Sequence, residues 1–391
     1  MNNEMKDKIS NNLKKLKPSG IRRFFDLVQT KKDVISLGVG EPDFITPWSI
    51  IDSAYYHMKK GHTHYTSNYG LLEFRLEVAN YLKKYNLQYN EKEIIATVGG
   101  SEGIDLALRA IINPGDEIIV PEPVYVPYRP MVEFMNGVAV EIDTSKTNFK
   151  ITPEELEKKI TSKTKAIILC YPNNPTGAIM SKEELEAIAK VIKKHQIWVI
   201  SDEIYSELSY DGEHFSIASF EGMKEQTIYL NGFSKAFAMT GWRIGYLCGP
   251  EWLVTQIIKI HQYAILCAPI FSQYGAIEGL RNCNKEVKKM KDSFSRRRRL
   301  IYHGFKDIGF DVIEPKGAMY IFPNIEKYGL SDEDFAIKLL EEENVAVVPG
   351  SAFGDKFKGY IRCSYATEIE LIKEAIDRIE RFVKKLELKS I

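Results

Sequence analysis

The sequence has no excess of either charge: 53 acidic residues balance 53 basic ones in a chain of 391. That balance offers neither the basic surplus that nucleic acid demands nor the polybasic attraction of an anionic membrane surface. Paired cysteines are missing too. Cys170, Cys248, Cys267, Cys283 and Cys363 are scattered with no CxxC pair, which speaks against a disulfide framework and a zinc site and fits a reducing cytoplasm. The polar, Lys-rich N-terminal stretch lacks the apolar core of a signal peptide. No apolar run approaches the length of a membrane-spanning helix, and there is no internal repeat or low-complexity linker. What is there, 44% apolar and 27% charged residues, is ordinary globular composition. A soluble, cytoplasmic protein is expected, without nucleic-acid or membrane partners.

A chain of this length exceeds what one compact core usually organises, so a large and a smaller domain are expected. From residue 94 onward short apolar runs alternate with helical segments. Ile94–Val98 reads as a strand and Ser101–Ile112 as a helix ending before Asn-Pro-Gly. Glu117–Val120, Val138–Ile142, Lys165–Cys170, Ile197–Ser201 and Thr227–Leu230 read as further strands. Ser181 with Glu184 three residues on is a capping-box arrangement, and Leu185, Ile188, Ala189 and Ile192 keep helical spacing behind it. This alternation predicts an α/β fold with a mostly parallel central sheet covered by helices on both faces.

The texture changes after residue 285. A charged helix carrying Arg296 to Arg299, expected to be a solvated face, leads into strands near Phe310–Ile313 and Ala318–Phe322. A helix from Ser331 to Glu343, a strand Val345–Val348 and the segment "YIRCSYA" (360–366) follow. Thr367 with Glu370 is read as the cap of a last helix. This is a smaller α+β domain, expected to comprise residues 1–45 with 286–391, against a large domain of 46–285.

Polar residues cluster just beyond the predicted strand ends. Gly99-Gly100-Ser101 follows the first strand and opens a helix, and "YPNNPTG" with Asn174 follows the strand ending at Cys170. Asp202 with Tyr205 follows the next, and Asn231-Gly232-Phe233-Ser234-Lys235 follows Leu230. Ligands of parallel α/β sheets bind outside the carboxyl ends of the strands, so all four clusters should face one crevice. Taken singly, each has an ordinary explanation as a turn, a cap or a surface charge. One ligand explains them together. Its phosphate would take the amides of Gly100, Ser101 and Glu102 at a helix N-terminus, the Ser234 hydroxyl and the Arg243 guanidinium. Its ring nitrogen would be kept protonated by Asp202, and its ring oxygen would accept from Tyr205 and Asn174. Its aldehyde would condense with Lys235, whose pKa desolvation and nearby cations depress. That ligand is pyridoxal 5'-phosphate, for which a lysine with an aspartate partner is the expected pattern.

With those residues in place, the chain resembles the fold-type I, class I/II aminotransferases. "SKAFAMTGWRIG" (234–245), "YPNNPTG", "SDEIY" and "GEPDF" (40–44) are similar to that family's motifs and stand in the same order. The resemblance extends from about residue 20 to the C-terminal helix. It implies that Tyr125 in "PEPVYVPY" stacks on the pyridine ring, and that Tyr65 reaches the phosphate of a neighbouring subunit, making the unit a homodimer. It also implies that Arg362 grips the substrate α-carboxylate, which the Gly40 backbone approaches alongside Tyr125 and Asn174. Lys235 would then be the catalytic base of a two-step exchange between an amino acid and a 2-oxo acid, with 2-oxoglutarate the expected acceptor. "GGSEGIDLALRAI" and "KIHQYAILCAP" are similar to a bacterial branch of acetyl-diaminopimelate or aromatic aminotransferases, with aspartate also open as donor. Two other classes are weighed: a C–S β-lyase on the same fold, and a ligand-sensing domain of a transcription regulator. The latter needs a DNA-binding module ahead of the resemblance.

Glu102 departs from the family pattern, since relatives often carry an uncharged or basic residue there. Its carboxylate should point away from the phosphate, toward the substrate entrance. His62 and His64 form an HxH without a third donor at ligand spacing, so no metal site is expected. His261 is read as a packed residue, and Cys170 and Cys267 as buried strand and helix positions.

Overall fold

The computed structural model describes residues 8–15, 31 and 33–389. A seven-stranded sheet is built from β2 (Ile94–Thr97), β3 (Glu117–Glu122), β4 (Val138–Asp143), β5 (Thr164–Cys170), β6 (Trp198–Asp202), β7 (Thr227–Gly232) and β8 (Gly245–Cys248), in the order β2-β8-β7-β6-β5-β3-β4. Strands β4, β3, β5, β6 and β7 pair in parallel, while β8 runs antiparallel to both β7 and β2. Only β8 is reversed, so the carboxyl ends of the other six strands lie along one edge. This strand, fully buried, is the one the sequence pattern passes over.

The central strands β5 and β7 are buried along most or all of their length, which is why they read as continuous apolar runs rather than as alternations. The helix Lys182–His195 shows why the flanking segments coil: Ser181 Oγ accepts from the Glu184 amide and the Glu184 carboxylate accepts from the Ser181 amide. Removing such a cap costs about 1 kcal/mol. Its apolar stripe, Leu185, Ile188, Ala189 and Ile192, is buried against the sheet. Among the described residues no helix is long and apolar enough to cross a membrane.

The later segment forms smaller sheets. β1 (Ile35–Ser36) pairs in parallel with β10 (Val345–Ala346), and β11 (Val348–Pro349), β12 (Ile361–Ser364) and β9 (Tyr320–Ile321) form an antiparallel trio. The expected strand Val345–Val348 is therefore two strands, changing sheets at Val347. The N-terminal segment joins this unit where it is described: the amides of Ile35 and Leu37 donate to Asn344 and Ala346 carbonyls, and the Ser364 amide donates to Leu37 O. Lys31 Nζ reaches the same unit, donating to Leu340 O at 3.1 Å. The helix Asn11–Lys15 does not: Asn12 Nδ2 donates to Phe134 O at 3.2 Å and to Asn136 Oδ1 at 3.0 Å, beside the large sheet. The expectation that residues 1–45 pack with the smaller unit therefore fails at 11–15, and for residues 1–7, 16–30 and 32 it lies outside the described ones.

Three further expectations need correction. Residues 310–313 form no strand; a single bridge links Asp311 to Asn324 while Phe310 and Val312 bury their side chains. The last helix is Ile369–Lys389, so Thr367 stands two residues ahead of it rather than at its cap. Arg296 to Arg299 are not a solvated face. In the helix Asn284–Ile308, Arg297 and Arg298 are buried. Arg297 pairs with Asp43 at 2.6 Å beneath the Phe44 and Phe294 rings, and Arg298 forks onto Asp211 and donates to Pro315 O. Only Arg296 and Arg299 face water.

Candidate active site

Along the carboxyl edge of the sheet lies a cavity of about 290 Å³, and the residues singled out from the strand ends converge on it. Gly100 and Ser101 come from the helix Gly99–Ile111, Asn174 from beyond β5, Asp202 from the end of β6 and Tyr205 just after it. Ser234, Lys235 and Arg243 come from the connection of β7 to β8. Arg362, from β12, closes the cavity from the smaller sheet, with Gly38, Gly40 and Tyr320 beside it. Tyr125 lines it as well.

Lys235 is half-buried in the cavity wall, and its Nζ donates to Gly40 O at 2.7 Å. Burial depresses the amine to about 8; Glu41 opposes this, and the guanidinium groups of Arg362 and Arg243 add to it. Asp202 is buried and its carboxyl is shifted upward by that burial. Two donors resist the shift: Tyr128 Oη, 2.6 Å from Oδ2, and the Ile204 amide, 3.2 Å from Oδ1. Tyr128 is a functional residue that sequence reasoning missed, three positions after Tyr125 in the same segment.

Arg362 is buried, and among the described residues no carboxylate meets it. Its Nη1 donates to Asn174 Oδ1 at 3.1 Å and its Nη2 to Gly38 O at 2.6 Å, while its Nε has no partner. The guanidinium lies 4.5 Å from the Tyr320 ring centroid and 4.9 Å from that of Phe353. A buried cation with an unmet donor is a site awaiting an anion. Because Asn174 Oδ1 is taken by Arg362, its amide nitrogen remains available to donate elsewhere.

The helix Gly99–Ile111 presents its first-turn amides, which have no intrahelical partner. Gly99 has φ +73°, and a Cβ there would lie 2.7 Å from Arg243 Nη2, so glycine lets the guanidinium approach this turn. Glu102 turns its carboxylate away from the cavity. One oxygen accepts from the Val98 amide and the other meets His261 Nδ1 at 2.7 Å. The expected orientation toward the substrate entrance is thus wrong: the buried His261, packed as expected, captures it.

The remaining expectations fall outside the cavity. Tyr65 is 83% exposed. His62 meets His57, Nδ1 to Nδ1 at 2.8 Å, and among the described residues no group of three or more metal-ligating side chains gathers. Cys170 is a buried strand residue that lines the cavity, whereas Cys267 lies half-buried in the turn between two helices.

The donor set fits pyridoxal 5'-phosphate. A depressed lysine, a buried carboxylate, a guanidinium beside free helix amides and an unpaired buried arginine share one cavity whose size suits such a group.

Comparison with known proteins agrees with this geometry. The family model described as aminotransferase class I and II matches residues 32–379. The aromatic-amino-acid aminotransferase 2 of Thermococcus litoralis is 43% identical over 386 residues, covering 97% of this chain and 99% of that protein. An aspartate aminotransferase of Pyrococcus abyssi is likewise 43% identical over 386 residues, with the same coverage of both chains. Among solved structures, the aromatic aminotransferase of Pyrococcus horikoshii superposes with a TM-score of 0.89 at 43% identity, covering 93% of this chain and 100% of that one.

Proposed function

Since the chain belongs to the class I and II aminotransferases and is an enzyme that transfers amino groups, we propose that it does so with pyridoxal 5'-phosphate held in this cavity, by a ping-pong exchange between an α-amino acid and 2-oxoglutarate. The observation that carries the reading is the convergence of Lys235, Asp202, Arg243 and Arg362 on one cavity. When bound, the cofactor supplies an aldehyde that captures the amino group and a ring that takes up the electrons of the broken Cα–H bond.

Each residue has a separate part. The first-turn amides of Gly100, Ser101 and Glu102, the Ser234 hydroxyl and the Arg243 guanidinium hold the phosphate. Tyr125 stacks on the ring, and Asp202, whose carboxylate form Tyr128 and the Ile204 amide favour against the upward push of burial, pairs with the protonated ring nitrogen. Tyr205 and the free amide nitrogen of Asn174 donate to the ring oxygen. Arg362 takes the substrate α-carboxylate in a planar fork, with the Gly40 backbone alongside. Lys235 carries the α-proton: an amine near 8 both accepts and returns a proton close to neutral pH, which an ordinary lysine does not.

The working unit in this reading is a cytoplasmic homodimer, in which Tyr65 of the partner subunit reaches the phosphate. The proposed division is a large domain (46–285) and a small one (1–45 with 286–391), although the helix Asn11–Lys15 leans on the large one through Asn12. Exposed Ile45, Trp48, Tyr65 and Tyr263 support the dimer, because side chains of this kind are buried when a second copy covers them. The test is an amino-donor screen with 2-oxoglutarate, covering aspartate, aromatic amino acids and acylated diaminopimelate. Wild-type protein is expected to be yellow and to turn over at least one donor, and Lys235→Ala to lose at least about a thousandfold in kcat. Turnover at the wild-type rate in Lys235→Ala overturns the mechanism.

A further inference from the structure

Tyr320 has no part in the roles assigned so far, yet it touches both halves of the cavity. It sits on β9, whose register places it opposite Ser364, two residues beyond Arg362 on β12. Its side chain is 1% exposed and lines the cavity. The hydroxyl lies 2.9 Å from Tyr205 Oη, with the two rings edge to face at 82°. The ring face lies 4.5 Å from the Arg362 guanidinium carbon. A Cβ on Gly40 would come within 2.5 Å of the same hydroxyl, so the glycine is what leaves room for it. One side chain therefore meets the tyrosine of the cofactor side, the arginine of the carboxylate side and the backbone that holds Lys235.

We propose that Tyr320 is a positioning residue with two separable parts, its hydroxyl serving Tyr205 and its ring serving Arg362. The inference rests on the cofactor reading given above. Either hydroxyl of the tyrosine pair can donate when only the two face each other. Once Tyr205 commits its proton to an anionic ring oxygen, its own oxygen is left to accept, and Tyr320 is the neighbour placed to donate. A hydroxyl that accepts one hydrogen bond donates the next more strongly. The hydroxyl of Tyr320 thus strengthens the bond that Tyr205 makes without touching the cofactor itself. Its ring acts differently. Arg362 is a buried cation that meets no carboxylate among the described residues, and aromatic faces at 4.5 and 4.9 Å stabilise it between substrate turnovers. They also fix the plane of its fork, on which recognition of a carboxylate depends.

Two variants separate the parts. Tyr320→Phe keeps the ring and removes the hydroxyl; Tyr320→Leu removes both. The holoprotein is titrated spectrophotometrically from acid to alkaline pH, and KM is measured for the best donor of the screen. A hydrogen bond to the anionic ring oxygen favours the deprotonated form of the chromophore, so weakening it moves the colour transition to higher pH. Tyr320→Phe is expected to shift that midpoint upward by about half a pH unit while changing donor KM by less than about twofold. Tyr320→Leu is expected to show the same spectral shift together with a rise in donor KM of about tenfold. A Tyr320→Phe midpoint equal to wild type overturns the first part. A Tyr320→Leu KM equal to that of Tyr320→Phe overturns the second. A core that merely loosens moves neither quantity selectively, and Tyr320→Phe, which keeps the packing, still decides the first part when Tyr320→Leu does not fold. Wild-type protein that fails to retain pyridoxal phosphate or to change colour with pH overturns the underlying cofactor reading instead, and is recognised before either variant is compared.

Discussion

Asp202 depends on two donors of different kinds. The Ile204 amide is part of the chain and stays whatever side chains are present, whereas the Tyr128 hydroxyl is a single removable atom. Burial raises the Asp202 carboxyl and both bonds pull it down. In Tyr128→Phe the burial is opposed by one donor fewer, so the carboxyl rises further and the carboxylate is lost at a higher pH. The acid limb of kcat/KM against pH is expected to move up by about one unit, with the alkaline limb in place; an unmoved acid limb would falsify the dependence of Asp202 on Tyr128. The sequence announces Asp202, Asn174, Lys235 and Arg243 because each is polar where an apolar run has just ended. Tyr128 and Tyr320 carry no such mark. A buried tyrosine in an aromatic-rich segment looks the same whether its ring or its hydroxyl matters, and only the position of the partner oxygen distinguishes them. Glu102 is the reverse case, conspicuous in the sequence but turned away by His261, a residue 159 positions distant in the chain.

The helix Asn284–Ile308 shows how far periodicity reaches. Its buried apolar positions Val287, Met290, Phe294, Ile301 and Phe305 keep helical spacing. Arg297 and Arg298 stand three and four residues after Phe294, on that same inward stripe, so the spacing held the signal that composition overrode. Charge alone suggested water; position on the stripe required partners, and Asp43 and Asp211 provide them. Arg298→Ala is expected to cost about 2 kcal/mol in urea unfolding, since it strands Pro315 O and strips a fork from Asp211. The cost stays below that of a fully buried pair because Lys316 still reaches Asp211. Arg299→Ala, on the exposed side, is expected to change stability by no more than about 0.5 kcal/mol. Equal effects from the two variants would return the run to a solvated face. The break between β10 and β11 is of another sort. Val345 to Val348 is one apolar run by any local measure, and its division follows from which strands arrive beside it, Ile35–Ser36 on one side of Val347 and Ile361–Arg362 on the other.

At the scale of the whole molecule, the large sheet and the later segment meet at a carboxyl. Glu122, at the end of β3, presses against Gly354, and the Val124 amide donates to Phe353 O next to it. Burial, with Glu141 adding to it, raises Glu122 from 4.5 to about 8, against the opposing pull of Arg129. A folded-state value above the unfolded one means that the fold holds this proton more tightly than the unfolded chain does. The resulting stability is complete below 4.5 and is lost as the pH rises through about 8. Thermal melts should therefore fall by several degrees from pH 6 to 9 in the wild type, and Glu122→Gln, permanently neutral, should lose that slope. A variant melting curve that still tracks the wild type across this range removes Glu122 from the account. The proposed dimer makes a sharper demand, because each site would then draw on two chains. Lys235→Ala disables the chain that supplies the base, and Tyr65→Ala disables the chain that supplies the neighbouring hydroxyl. If Tyr65 acted within its own chain, mixing the two variants would only average two damaged enzymes. If it acts across the interface, a hybrid dimer collects both lesions in one site and leaves the other with an intact Lys235 and the partner subunit's Tyr65. Random reassociation makes half the dimers hybrids, each with one good site of two, so the mixture is expected to recover about a quarter of wild-type activity. The measurement is activity after subunits are dissociated and reassociated together, against the same treatment applied separately. Activity equal to the mean of the separate samples places Tyr65 outside the partner's site.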